Sequence, residues 1–120
     1  MATFSKIALS GSTDGRMIKV AATATAGTTI HTGDTTATTF DEVWLYAVNS
    51  DSTDRKLTIE WGGVSSPDDL IEFTVPAESG LYVIAPGLVI KGNATPLVVR
   101  AFCATADVVN IAGFVNRITA

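Results

Sequence analysis

Chemistry near neutral pH needs groups that titrate or attack, and this chain has few. It holds one histidine, His31, and one cysteine, Cys103. A Ser-His-Asp arrangement would need a framed nucleophile, and no Gly-x-Ser-x-Gly turn is present. His31 is therefore read as a surface or interface histidine. A structural zinc site takes four His, Cys or carboxylate ligands and a catalytic one three. One His and one Cys, far apart in the chain, do not supply them. Cys103 has no partner for an internal disulfide. Inside Leu97-Val-Val-Arg-Ala-Phe-Cys103 it reads as a small core hydrophobe.

Carboxylates come next. Asp41-Glu42 and Asp68-Asp69 are adjacent pairs. A glycosidase holds two carboxylates across a cleft, whereas neighbours in a strand point to opposite faces. Asp68-Asp69 follows Pro67 and reads as a turn. A calcium loop using Asp51, Asp54, Asp68 or Asp69 lacks the spacing of an EF-hand. Gly62-Gly63 follows a strand but precedes a loop, so it is no phosphate-binding turn. Asn93-Ala-Thr95 matches the glycosylation pattern, which carries weight only beside a secretory signal. No cofactor is expected, and the residues do not read as an enzyme.

The aromatics offer a binding role instead. Trp44 and Tyr46 share a face with Glu42, opposite Val43, Leu45 and Ala47. That face either packs against a neighbour or presents a platform for sugar stacking. Trp61 alternates with Leu57 and Ile59 and reads as core.

Composition narrows the class. Of 120 residues 47% are hydrophobic and only 17% charged, with a mean hydropathy of +0.34. Soluble domains carry about 25% charge, so apolar surface covered by a partner or by other copies is expected. The length fits one domain over residues 1–120, with roughly 6,000 Å² of accessible surface. Net charge is −4 and the basic residues are scattered, which argues against nucleic acid as a partner. No stretch of about 18 apolar residues is present to span a membrane as a helix. Met1-Ala-Thr-Phe-Ser-Lys-Ile-Ala-Leu9 lacks the charged-then-apolar order of a signal peptide, so an intracellular site of synthesis is expected.

The elements that position these residues are short and alternating. Asp41-Glu-Val-Trp-Leu-Tyr-Ala-Val-Asn49 and Lys56-Leu-Thr-Ile-Glu-Trp61 have the period of two of half-buried strands. A turn through Ser50-Asp-Ser-Thr-Asp54 would join them as a hairpin. Further strands are expected over 3–9, 16–22, 28–32, 70–75, 81–85, 88–91, 97–104 and 108–118. Residues 22–40 are rich in Thr and Ala and read as a strand followed by a loop. Residues 1–5 read as an N-terminal arm. These ten stretches, taken as roughly eight to nine strands, and the lack of a convincing helix predict an all-β, antiparallel β-sandwich of jelly-roll-like form.

Four segments carry a resemblance: Leu57-Thr-Ile-Glu-Trp-Gly-Gly63, Val75-Pro-Ala-Glu-Ser-Gly-Leu-Tyr-Val-Ile-Ala-Pro-Gly-Leu88, Val98-Val-Arg-Ala-Phe-Cys-Ala104 and Val109-Asn-Ile-Ala-Gly-Phe-Val-Asn-Arg-Ile118. Over residues 3–118 the chain resembles small virion structural proteins of tailed bacteriophages, and among them head decoration (cement) proteins. The resemblance implies a protein of the capsid exterior, with the major capsid protein as partner. It implies a homo-oligomer, a trimer first and a dimer second. It assigns no individual functional residue. The expected contacts with the shell or with neighbouring copies lie in residues 1–6 and 26–40, and on the Trp44–Tyr46 face. They comprise Thr3, Phe4, Lys6, Ile30, His31, Phe40, Trp44 and Tyr46. The alternative expectation is a carbohydrate-binding module of a tail or fibre.

Overall fold

The computed structural model describes residues 2–120. Among them are nine strands and no helix: β1 (Thr3–Ala8), β2 (Ile18–Lys19), β3 (Thr28–Thr32), β4 (Phe40–Asn49), β5 (Arg55–Trp61), β6 (Leu70–Val75), β7 (Tyr82–Lys91), β8 (Val98–Cys103) and β9 (Val109–Thr119). They form two antiparallel sheets. The first has the order β1-β9-β4-β7, with β2 continuing the edge of β9; the second has the order β3-β8-β5-β6. Setting the two-residue β2 aside, the pairs β1·β9, β3·β8, β4·β7 and β5·β6 are nested, each inside the one before. A long hairpin rolled around a core has this connectivity, which is that of a jelly roll. The accessible surface of 6199 Å² is ordinary for a chain of this mass, about 6,200 Å² by the usual scaling.

Side-chain alternation builds the core. In β4 Asp41, Val43, Leu45, Ala47 and Asn49 are buried, while Glu42, Trp44, Tyr46 and Val48 lie half-buried on the other face. Leu57 and Ile59 of β5, Val99 and Ala101 of β8, and Ile111 and Val115 of β9 meet them between the sheets. Trp61, Ile71 and Phe73 pack against this cluster, as their alternation predicts.

Four expectations are corrected. β4 and β5 are not a hairpin; they lie in different sheets. The five-residue link arches across the sandwich. It is held by Asn49, wholly buried, whose amide donates to the carbonyls of Thr53 (2.9 Å) and Val75 (3.0 Å). Alternation fixes which side chains face inward but not which strand lies alongside. Second, residues 81–91 form one strand rather than two. Gly87, at φ +79°, carries the chain past Pro86 beside two register shifts against β4. Third, the second strand shrinks to Ile18–Lys19. Fourth, the expected arm is an edge strand, paired from Thr3↔Thr119 to Ala8↔Phe114; Met1 lies outside the described residues.

Candidate functional site

The one histidine sits between the sheets. His31 is 1% exposed and Ile30 is fully buried, which removes both from the expected contact surface. The segment 28–32 is a strand of a two-layer fold, and these two neighbours are both buried where its register against β8 shifts between Thr29 and His31. The His31 Nδ1 accepts the backbone N–H of Ser10 (3.1 Å). Its proton therefore sits on Nε2, which donates to Asp41 Oδ2 (2.8 Å). Arg117 of β9 closes the group with two parallel bonds to the Asp41 carboxylate, Nε to Oδ1 and Nη2 to Oδ2, both 2.8 Å. Burial pushes the Asp41 carboxyl up. The hydrogen bonds and charges of Arg117 and His31 outweigh it and leave Asp41 below its ordinary value. The same bond raises the Arg117 guanidinium.

Ser10, His31 and Asp41 thus form a connected chain, yet its geometry is not that of a nucleophile. A serine triad needs the hydroxyl on the imidazole nitrogen that faces away from the Asp. Here that nitrogen meets a backbone N–H, and Ser10 Oγ accepts the N–H of Thr32 (2.7 Å). The arrangement clamps β3 of one sheet to β4 and β9 of the other.

Four other carboxylates are also engaged. Glu60, fully buried, accepts Thr25 Oγ1 (2.8 Å) and the Gly27 N–H (2.7 Å), fastening the 21–27 segment across β5. Gly27 is required there: a Cβ would stand 2.5 Å from the Ala101 carbonyl oxygen. Asp51 binds Arg55 and the Ser52 N–H, Asp54 the Ala77 N–H and Asp69 the Ser65 N–H. Among the described residues no three His, Cys, Asp or Glu side chains converge on one point. No described helix is long and apolar enough to cross a membrane.

What the fold does assemble is the outer face of the first sheet. Residues directly opposed across antiparallel strands share a face, and the register builds three rows. The first runs Phe4–Ile118–Phe40–Lys91, the second Lys6–Asn116–Glu42–Val89, the third Ala8–Phe114–Trp44–Pro86. Phe4 is 74% exposed, Val89 53% and Phe40 40%. Trp44 and Phe114 lie nearly parallel, 10° apart, with ring centroids 6.0 Å apart. Lys6 Nζ sits 4.8 Å over the Phe114 ring, a cation–π geometry. Glu42 Oε1 accepts the Trp44 indole N–H (2.8 Å) and the Asn116 amide (2.9 Å). These two bonds hold the Glu42 carboxyl below its ordinary value.

Five of the eight expected contact residues therefore meet on one surface: Phe4, Lys6, Phe40, Trp44 and Tyr46. Thr3 is exposed but points to the opposite side of β1, with Ile7. The sequence reading missed Phe114, Ile118, Val89 and Lys91. The signal for the first two was present: Phe114, Asn116 and Ile118 run out of phase with Ile111 and Val115. At one end of the same sheet an open cleft of about 560 Å³ is lined by Gly11, Thr13, Arg16, Met17, Ile18, Lys19 and Asn110. No family model matches this chain, and no curated protein or solved structure matches it significantly.

Proposed function

We propose that this chain is a structural virion protein that binds the outer surface of an assembled phage capsid and stabilises it. The observation that carries the reading is the exposed apolar surface of the first sheet, where Phe4, Phe40 and Val89 stand in adjacent rows. Covering one such side chain contributes roughly 2 kcal/mol, so the face favours a partner. In this reading, which follows what the resemblance implies, that partner is the major capsid protein. A protein that binds only the assembled shell stabilises it by its binding free energy. Joining copies into a homo-oligomer, a trimer in this reading, multiplies weak contacts through avidity. The site of action is the capsid exterior, after synthesis in the host cytoplasm.

Mass spectrometry of separated heads and tails, with copy numbers, tests this. Hundreds of copies in the head fraction are expected. A few copies confined to the tail fraction would overturn it. That result would favour the second reading, a carbohydrate-binding module. The near-parallel Trp44 and Phe114 rings beside the polar edge of Glu42 and Asn116 favour it, because sugars stack on aromatic faces and hydrogen-bond at their rims. Glycan-array binding that disappears in Trp44→Ala would support that module.

A further inference from the structure

We infer that the outer face of the first sheet docks on an acidic protein surface that also presents apolar side chains, and not on the same face of a second copy. The inference rests on the capsid reading above and specifies the chemistry of the shell surface involved.

Charge decides between the two occupants. The face carries Lys6 and Lys91 in the rows already described. It also carries Lys19, which lies opposite Asn110 and, through it, Val48. Its one carboxylate is Glu42. Three lysines against one glutamate make the face +2 in a chain of net charge −4, so the remainder carries −6. Lys19 has Asp107 at 4.0 Å, but both side chains are more than half exposed, so solvent screens that pair. Glu42 is already held by Trp44 and Asn116. Arg16 adds a further cation in the cleft beside Lys19.

Pairing this face with itself would bring two surfaces of net charge +2 together. Like charges facing each other across an interface disfavour it. An acidic partner would instead meet all three, while Phe4, Phe40 and Val89 supply exposed apolar contacts beside Lys6 and Lys91.

The test is co-sedimentation with capsid shells of the source virus assembled without this chain, using the full-length protein. Three variants are compared: Lys6→Glu/Lys91→Glu, Phe4→Ala, and Lys56→Glu as a control. Lys56 lies on β5 in the other sheet, where it pairs with Glu72, and its side chain is 62% exposed. All the substituted side chains are exposed, and a melting curve for each variant verifies folding. The inference predicts at least tenfold weaker binding for the double variant and for Phe4→Ala. It predicts binding within twofold of wild type for Lys56→Glu. Raising the salt should weaken wild-type binding and, by screening the repulsion of the two introduced carboxylates, strengthen that of the double variant.

Normal binding of both face variants to shells that bind wild type would overturn the inference and leave the capsid reading standing. Failure of the wild type to sediment with shells would overturn the capsid reading, and the inference with it. A solution oligomer that falls apart in Phe4→Ala, seen by analytical ultracentrifugation, would assign the face to a second copy and overturn the inference.

Discussion

Asp41→Asn tests whether the clamp between the sheets is held by charge and hydrogen bonding or merely fills space. Three N–H groups converge on the two Asp41 oxygens: Nε and Nη2 of Arg117 and Nε2 of His31. Asparagine keeps the shape but offers one oxygen. Either rotamer turns its NH₂ toward a donor. His31 cannot relieve the conflict by changing tautomer, because its Nδ1 already accepts from Ser10. Removing one partner of a buried ion pair costs about 3–5 kcal/mol. The Arg117 side chain is 25% exposed and partly rehydrates, so the lower end, about 3 kcal/mol, is expected. For a chain of this length that is a fall in Tm of about 9–15 °C.

Urea unfolding of both proteins from pH 7 down to pH 3 gives the difference and its pH dependence. The folded Asp41 carboxyl titrates below its ordinary value of 3.8. Its contribution is therefore complete above the unfolded value and is lost as pH falls through the lower, folded one. The gap between wild type and variant should be constant from pH 7 to about pH 5 and should narrow below about pH 4. A gap under about 1 kcal/mol at pH 7, or one unchanged down to pH 3, would refute the reasoning.

Two further substitutions probe the supports of the fold. Glu60→Ala removes both bonds that fasten the 21–27 segment, at Thr25 Oγ1 and at the Gly27 N–H. It should cost about 2–4 kcal/mol in chemical denaturation and speed amide exchange at Gly27. Gly87→Ala places a Cβ at φ +79°, 3.0 Å from the Trp44 indole. It should lower stability by about 1–2 kcal/mol and shift the tryptophan emission as Trp44 leaves Phe114.

The period of two in 41–49 marked β4 and assigned its inward and outward residues, because a strand buried on one face needs no more than alternation to show itself. The same logic placed Trp61 in the core. It failed at Glu60, where alternation puts a carboxylate outward and the 21–27 segment then covers it. It failed also at Ile30 and His31. A Thr-rich segment reads as surface because threonine suits an exposed strand as well as a covered one, and only the opposite sheet shows that β3 is enclosed. The break at Pro86-Gly87 read as a strand end, because a residue without an N–H interrupts a ladder. Paired on one side only, β7 absorbs it as a bulge.

The sequence by itself determined an all-β chain with too little charge for its surface, and the apolar character of the Trp44–Tyr46 face. Both follow from composition and from neighbours two residues apart. Only the tertiary structure decided that β4 and β5 part into different sheets, that β1 and β9 bring Phe4 into one row with Phe40 and Phe114 beside Trp44, and that His31, Asp41 and Arg117 meet. The bonds of Asp41 alone join residues 10 and 76 positions apart along the chain. Strand pairing at such separations depends on which edges find each other around a shared core, and local pattern does not encode that.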